Sequence, residues 1–530
     1  MNFTKDRLKK TIVNQFFLHL LSFVTLIFSV VCYYSNFTDY NFDNSFNSDS
    51  VGVPYLFKDI FHDGGHFKDW KLASAPTLFP DMVLYYLLYQ FLELDFLTIT
   101  IWFAIIQVLA IAGLSCFVFR KLVPGRSKEF SWLVPLFYSI IFFEGYYYTG
   151  DQILPFLIST YCFHTGTFVN ALIALSILVT DIKYVWKIVF LFLISSLAMY
   201  SDMMYAVAFI GPLFALTIFQ PNFFGWKRSL VFFLTVLIGG ASGYYLFYSI
   251  TSSGDINYAS NSNLFHFENI TNSYNVMSNH ILWYLDRPGF MTALVGFMLL
   301  AIPLSLLVVI ILYKKLDKRI RYFLIFYFVF MISTMFAPVL MGNYPFVDCI
   351  RYNSSMYFFT TVGMSFFVAV AFGKFIRSEY VGKIVSYLVI FMFMYMSLAR
   401  FKTNGLNNYF SYYPPKVRAI DSICDKNQLK KGISDYWKAK HTSIFSRKGI
   451  TMVTVHASLN FYEVGSNINW FYKGDYDFVV PENLDTAEIR KYFVILDTFE
   501  TEQIIILKVD KFKYVPDKLF PVQVSTGNYK

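Results

Sequence analysis

The sequence predicts a polytopic α-helical membrane protein of about eleven transmembrane helices, followed by a C-terminal α/β domain outside the membrane. Hydrophobic residues make up 56% of the 530 residues and aromatic residues 21%, against 15% charged residues, which exceeds the apolar content of an ordinary soluble domain. The apolar residues form separate runs of about 20 residues, the length that a helix needs to cross the hydrocarbon core of a bilayer. Lys and Arg flank these runs, so the net charge of +9 reports membrane topology and does not indicate nucleic-acid binding.

The Lys and Arg residues between the predicted spans indicate the orientation of the chain. The spans lie near residues 11–34, 97–119, 131–149, 163–181, 186–201, 203–220, 229–250, 289–313, 322–342, 354–373 and 383–400. If the N-terminus is cytoplasmic, the inner segments hold about four times as many Lys and Arg residues as the outer loops before the C-terminal tail. The bias predicts an inside N-terminus and, with an odd number of spans, an outside C-terminus. We therefore expect residues 1–400 to form a membrane module, with residues 35–96 as its long first outer loop.

Residues 401–530 have ordinary polarity and predict the outer α/β domain. The run PPKVRAIDSICDKNQL is typical of a helix, whereas GITMVTVH, YDFVV, YFVIL and EQIIILKV are typical of short strands. The tail contains no Gly-rich phosphate loop, which argues against a nucleotide-sugar donor bound there. The five cysteines form neither a CxxC pair nor a Cys/His cluster, so they predict no disulfide framework and no zinc site.

Scarce charge is concentrated between Asp49 and Asp81 in the first outer loop. This stretch holds five aspartates, two histidines and Trp70. It is the first candidate for a site that performs chemistry; the plain alternative is a solvated connector between spans. His62 and His66 would face one side of a helix, but Gly64 and Gly65 between them argue against a helix and against a metal site there.

The layout resembles the GT-C superfamily of integral membrane glycosyltransferases, which includes protein O-mannosyltransferases, the lipid A aminoarabinose transferase and O-antigen glucosyltransferases. A basic N-terminus leads into one span and a long outer loop with early acidic residues; many spans and an outer α/β domain follow. The segments WKLASAPTLFPDMVLYYLL (70–88) and KKGISDYWKAK (430–440) also look like segments of bacterial GT-C-like proteins.

The resemblance implies transfer of a sugar from a polyprenyl-phosphate donor, with inversion, to an acceptor outside the membrane. The acceptor would be a cell-envelope glycan, such as O-antigen or lipopolysaccharide, or a lipid-linked saccharide. A carboxylate of the first outer loop would be the general base. Asp49 matches that position best, but Ser50 follows it where the family has a second acidic residue, so Asp59 and Asp63 remain alternatives. The implied location is a bacterial inner membrane, with the active site and the C-terminal domain on the periplasmic side.

The chemistry itself requires a base and a phosphate ligand. A carboxylate can take the proton of an acceptor hydroxyl, and a phosphate leaving group needs no general acid. Arg351, followed by Tyr352 directly before a span, is the preferred phosphate ligand because arginine binds phosphate bidentately; the alternatives are an ion pair with Asp348 or a flanking residue at the membrane surface. Further substrate-binding candidates are Arg287, His62, Trp70 and Asp202.

The remaining acidic residues are expected to contact substrate or to have structural roles. Asp202 can contact a sugar or cap a helical break, whereas Asp69 and Asp81 look structural, Asp81 as the cap or first turn of the following helix. The resemblance allows a divalent ion, but we predict no cofactor and no resident metal.

Two other functions compete with glycosyl transfer. A polysaccharide polymerase or ligase would also act on lipid-linked glycans, but we expect it to carry essential arginines in a large late outer loop, and the late loops here are short. A transporter or flippase for lipid-linked saccharides would place polar residues near the bilayer midplane and often contains inverted repeats, whereas we detect no repeat in this sequence.

Overall fold

Long apolar helices dominate the computed structural model, which describes residues 2–73, 75–93, 95–148, 153–253, 257–258, 265–375, 378–462, 464–472 and 475–510. Within this part of the chain, eight helices are long and apolar enough to cross a membrane. Their candidate spans are Gln15–Ser35, Phe96–Leu122, Tyr184–Ser201, Trp226–Thr251, Phe290–Leu312, Lys318–Leu340, Ser354–Phe375 and Tyr380–Leu398. Because large apolar side chains on these helices are exposed, such as Leu300 and Ile311, we treat the chain as an integral membrane protein.

The other three predicted spans are helical but shorter. Residues 131–149 contain the helix Leu133–Tyr147, and residues 163–181 contain Thr165–Val179. Residues 203–220 contain a π-helical turn, Ala206–Ile210, that continues into Gly211–Phe219. The eleven predicted segments are therefore all helical, and eight of them meet the length and composition of a span.

The segment between the first two predicted spans also contains a short apolar helix, which is the helix that the sequence predicts after Asp81. A π-helical turn, Leu78–Met82, leads into the helix Val83–Leu92. Its run VLYYLLYQFL is apolar but covers only 10 residues, too few to be recognised as a span.

The chain divides into two compact units. The first unit consists of residues 1–37, 77–248 and 262–410, and contains all eight long helices over most of their length. The helix Ile270–Leu285 belongs to the same unit. Inside it, hydroxyl groups pair between helices: Ser29 bonds Ser397 at 2.8 Å, and Tyr146 bonds Ser397 at 3.2 Å. Such pairs satisfy polar groups that lipid cannot solvate.

The second unit consists of residues 38–76, 249–261 and 411–530, of which residues 511–530 lie outside the described part. The membrane module predicted over residues 1–400 stays a prediction, and residues 38–76 of its predicted first loop belong to the second unit. The helices of this unit are Asp39–Ser45, Gly52–Lys58, Pro415–Lys426, Tyr436–Phe445, Ile468–Tyr472 and Thr486–Tyr492, and Thr403–Ser411 ends at its border.

A five-stranded sheet forms the core of the second unit. Its strands, in spatial order, are Thr451–Val455, Lys431–Asp435, Phe478–Val479, Ile505–Val509 and Ile495–Glu500. The first three are parallel and the last two pair antiparallel. Successive residues of Thr451–Val455 alternate between two hydrophobic clusters, Met452 in one and Val453 in the other, so the sheet is covered on both faces.

A small three-stranded sheet joins distant parts of the second unit. Its central strand Trp70–Leu72 pairs in parallel with Asn257–Tyr258 and antiparallel with Ser466–Asn467. The segment between the first two predicted spans is thereby hydrogen-bonded to a segment of the C-terminal tail.

Candidate active site

A buried carboxylate–imidazole pair lies in the first unit. Nδ1 of His164 lies 2.6 Å from Oδ2 of Asp202, and the two side chains are only 11% and 6% exposed. The Thr167 hydroxyl donates to the same carboxylate oxygen at 2.5 Å, and the backbone N–H of Met204 donates to Oδ1 at 2.9 Å. Asp202 is therefore held by several donors and orients the imidazole of His164.

Local structure explains how these residues meet. Asp202 follows the last residue of the helix Tyr184–Ser201, and His164 precedes the first residue of the helix Thr165–Val179. Phe163 and His164 both have left-handed backbone conformations, with φ of 65° and 68°. This conformation is strained for residues other than glycine, and such strain is concentrated at functional sites.

Arg351 and Tyr352 adjoin the pair. The ring of Tyr352 lies 5.0 Å from the His164 ring, measured between centroids. The Arg351 guanidinium lies 5.5 Å from the ring centroid of Phe163 and 5.4 Å from that of Tyr352. Three predicted substrate-binding residues, Arg351, Tyr352 and Asp202, thus come together around His164. The side chain of Asp348, the alternative ion-pair partner of Arg351, lies outside the described part of the structure.

Asp81 is buried beside Asp202. Its side chain is 2% exposed, and the two carboxylates interact electrostatically. A Cβ at Gly166 would clash with the Asp81 carboxylate, so the first turn of the helix Thr165–Val179 accommodates Asp81 only because a glycine stands there. We had expected Asp81 to be structural; the structure places it next to the carboxylate–imidazole pair.

Asp49, the first predicted base, lies in the second unit. Its carboxylate accepts a hydrogen bond from the Tyr436 hydroxyl. The Tyr436 ring stacks on Tyr462, with centroids 4.1 Å apart, and the ammonium group of Lys440 lies 4.3 Å from the Tyr436 ring centroid. Burial lowers the pKa of Lys440 to about 7, and the charge of Asp49 partly offsets this effect.

Asp59, an alternative base, is fully enclosed in the second unit. Its Oδ2 accepts hydrogen bonds from Trp70 Nε1 at 2.5 Å and Asn467 Nδ2 at 2.7 Å. Burial raises the pKa of Asp59, and these two hydrogen bonds partly offset the shift. Trp70 is also fully buried and packs edge-on against Tyr55 and Trp470. Trp70 therefore presents no ring face at the surface of this unit.

The remaining candidates do not gather around one point. Asp63 and His62 are exposed at the end of the π-helical turn Asp59–Asp63. Arg287, in the first unit, stacks its guanidinium 3.8 Å from the ring centroid of Trp283. Within the described ranges, no group of three or more His, Cys, Asp or Glu side chains is arranged to hold a metal ion.

Sequence reasoning missed His164 and Thr167. His164 directly precedes an apolar helix and Thr167 lies in its first turn, and neither has a charged neighbour in the sequence or belongs to a recognisable motif. One weak signal exists: the chain has only eight histidines, and His164 stands in the polar group HTGT directly before a helix.

Comparisons with known proteins add little to this geometry. No protein-family model and no curated protein matches the sequence. Two solved structures of an oligosaccharyltransferase from Archaeoglobus fulgidus resemble the chain, one in complex with Zn and sulfate and one in the apo form. The first has 11% identity and a TM-score of 0.35 over 93% of this chain and 74% of the other. The second has 12% identity and a TM-score of 0.34 over 94% and 75%. At these values we transfer no residue role from either structure.

Proposed function

We propose that the chain is a membrane glycosyltransferase that transfers a sugar from a polyprenyl-phosphate donor, with inversion, to an acceptor outside the membrane. The observation that carries the proposal is the contact between His164 and Asp202 with Arg351 and Tyr352 beside it. A base and a phosphate-binding cation thereby meet at the ends of apolar helices, where a lipid-linked donor can present its head group.

The carboxylate–imidazole pair supplies the base. With Nδ1–H of His164 donating to Asp202, Nε2 is left to accept the proton of an acceptor hydroxyl. As that hydroxyl oxygen attacks the anomeric carbon, the new C–O bond forms and the bond from the anomeric carbon to the phosphate oxygen breaks. The proton moves to Nε2, and Asp202 stabilises the imidazolium that results.

Arg351 supplies the cation for the leaving group. Polyprenyl phosphate departs with an additional negative charge, which a guanidinium can bind through two parallel hydrogen bonds. Because the phosphate is a good leaving group, the reaction requires one base and no general acid, unlike glycoside hydrolysis with its two carboxylates.

Asp49, the base that the sequence analysis ranked first, is the competing assignment. It is half-buried and accepts the Tyr436 hydroxyl near Lys440, an arrangement that suits a structural link as well as catalysis. We favour Asp202 acting through His164 because strained backbone, an oriented imidazole and an arginine coincide there.

The test is sugar transfer by the full chain in detergent. Donors are polyprenyl-phosphate glucose, mannose and aminoarabinose, and acceptors are lipopolysaccharide and lipid-linked saccharide. We expect His164→Gln and Asp202→Asn to lower kcat by about 10²- to 10⁴-fold. The control Asp181→Asn, at a carboxylate that is 89% exposed and paired with Lys121, is expected to keep activity within about twofold.

Each rival assignment predicts another outcome. Loss of transfer in Asp49→Asn, with Asp202→Asn fully active, would make Asp49 the base. Transfer only from lipid-linked polysaccharide would favour the polymerase or ligase. No transfer from any donor, together with movement of lipid-linked saccharide across vesicle membranes, would favour the transporter.

A further inference from the structure

Two buried oxygen atoms on segments that adjoin the carboxylate–imidazole pair lack a hydrogen-bond donor within the described part of the chain. They are Oδ1 of Asp81 and Oδ1 of Asn170, on side chains that are 2% and 1% exposed. Leaving a buried acceptor without a donor costs free energy, so native structures keep few of them. These two lie on segments that are hydrogen-bonded to each other, an arrangement that suits a ligand with hydrogen-bond donors.

The fold places the two oxygens around one short segment. The amide Nδ2 of Asn170 donates to the carbonyl oxygen of Phe79 at 3.1 Å, and Asp81 is two residues further along the chain. Gly166, against which the Asp81 carboxylate lies, is four residues before Asn170 on the helix Thr165–Val179. Residues four apart lie on one face of a helix, so Asn170 is on the face against which the Asp81 carboxylate packs.

The segment is also anchored from a second helix. The Ser201 hydroxyl accepts a hydrogen bond from the backbone N–H of Phe79 at 2.9 Å, and Ser201 directly precedes Asp202. This anchor fixes the position of Asp81 relative to the carboxylate–imidazole pair without using either unpaired oxygen.

The chemistry of the two oxygens selects the ligand. Both are acceptors, and a sugar ring presents hydroxyl donors on neighbouring carbons. A carboxyl oxygen of Asp81 can accept one such hydroxyl, and the carboxamide oxygen of Asn170 can accept the second and fix it in space. A metal ion is a weaker fit, because no cluster of three acidic, histidine or cysteine ligands exists among the described residues.

We propose that Asp81 and Asn170 bind adjacent hydroxyl groups of the donor sugar and so determine which sugar is transferred. This role rests on the proposed function, since it assumes that the donor head group enters beside His164. It makes Asp81 a substrate-binding residue and explains why a glycine stands at position 166.

The experiment measures ligand binding and not turnover, so that the sugar-binding role can be disproved independently of the proposed transfer reaction. Full-length protein in detergent is titrated with polyprenyl-phosphate glucose, mannose and N-acetylglucosamine, and with polyprenyl phosphate lacking a sugar. The sugar contribution is the ratio of Kd for the bare lipid to Kd for each sugar-bearing lipid. The melting temperature of each variant without ligand is compared with that of the wild type, to exclude unfolding as the cause of weaker binding.

We expect wild type to bind at least one sugar-bearing lipid more tightly than the bare lipid. Asp81→Asn and Asn170→Leu should each weaken that sugar contribution by on the order of 10- to 100-fold while leaving the Kd of the bare lipid unchanged. Ser201→Ala is the matched control: it removes the other anchor of Phe79 but neither acceptor oxygen, and should retain most of the sugar contribution.

Three results would overturn the assignment. The first is a wild-type protein that binds all the sugar-bearing lipids no better than the bare lipid. The second is an unchanged sugar contribution in both Asp81→Asn and Asn170→Leu. The third is an equal loss in Ser201→Ala, which would trace the effect to anchoring of Phe79. Sugar-dependent binding without any transfer would instead count against the proposed function alone.

Discussion

The carboxylate of Asp49 accepts a hydrogen bond from the hydroxyl of Tyr436, a residue 387 positions later in the chain. Lys440, one helical turn after Tyr436, is 1% exposed and donates to the carbonyl oxygen of Val464 at 3.0 Å. Asp49 is thus the acidic neighbour of a buried ammonium group, and its substitution has consequences for stability as well as for any catalytic role.

Asp49→Asn is expected to lower the free energy of unfolding by about 1–3 kcal/mol near pH 6, because it leaves the charge of Lys440 buried with less compensation. Thermal unfolding of the full chain measures this effect. The double variant Asp49→Asn, Lys440→Met is expected to recover most of the lost stability. If Asp49→Asn loses sugar transfer and the double variant regains it, the loss is structural. If transfer stays absent in the stable double variant while Asp202→Asn is fully active, Asp49 is the base.

The melting temperature is expected to rise between about pH 7 and pH 10 through Lys440. Burial lowers the pKa of Lys440 from 10.5 to about 7 in the folded chain. Between these values the unfolded chain binds the proton and the folded chain does not, so stability increases with pH; below the folded pKa both states are protonated and this contribution is flat. Melting curves of wild type and Lys440→Met across this range provide the test. An equal slope in both proteins would contradict the assignment to Lys440.

Trp70→Phe is expected to destabilise the second unit by about 1–3 kcal/mol without lowering kcat. The substitution removes the donor to Asp59 Oδ2 and leaves a buried carboxylate with one donor fewer. Asp59→Asn should have a milder effect, because burial already raises the pKa of Asp59 and favours its neutral form. Unfolding curves and transfer rates of both variants are compared with wild type. A large fall in kcat at unchanged melting temperature in Asp59→Asn would return Asp59 to the list of catalytic bases.

Arg351→Gln is expected to raise the KM for the donor by about 10- to 100-fold, because the leaving phosphate loses a charge-assisted pair of hydrogen bonds. Arg351→Lys should recover only part of the loss, since an ammonium group cannot form the parallel pair. Initial rates at varied donor concentration measure both. Equal KM values for wild type and Arg351→Gln would remove Arg351 from the donor site.

The apolar helices of the first unit were predictable because length and hydropathy indicate them, whereas the more polar helix Ile270–Leu285 was not predicted. All eleven apolar runs are helical in the described part of the chain, and the helix and three of the strands predicted in the tail correspond to Pro415–Lys426, Thr451–Val455, Phe478–Val479 and Ile505–Val509. The predicted strand YFVIL was wrong over its first residues, because Tyr492 ends a helix and the strand begins only at Ile495. The strand Lys431–Asp435 and the helix Tyr436–Phe445 were missed, because KGISDYWKAK mixes charged and apolar residues without a clear period.

The site was less predictable because its residues meet only through tertiary packing. Asp202 was a candidate by virtue of being a charge between two apolar runs, but nothing in the sequence pairs it with His164, 38 positions earlier. Asp81 follows a proline and looked like a helix cap; its burial against Gly166 depends on a close approach of two segments that no local pattern encodes. Asp49 and Asp59 were selected as acidic residues of a polar loop, which does not reveal that Tyr436 and Asn467 bond them.

The small sheet centred on Trp70–Leu72 can form only after most of the chain has been synthesised. Asp59 receives one of its two hydrogen bonds from Asn467, 408 positions later, and the strand Ser466–Asn467 pairs with Trp70 and Lys71. The segment with Asp59 and Trp70 is therefore synthesised long before its partner residues, and Trp70 cannot be buried in this way until most of the chain has been made. Truncation before residue 466 would remove the strand that pairs with Trp70 and Lys71 as well as the amide that bonds Asp59. A late nonsense mutation would therefore disrupt the fold of a segment near the N-terminus.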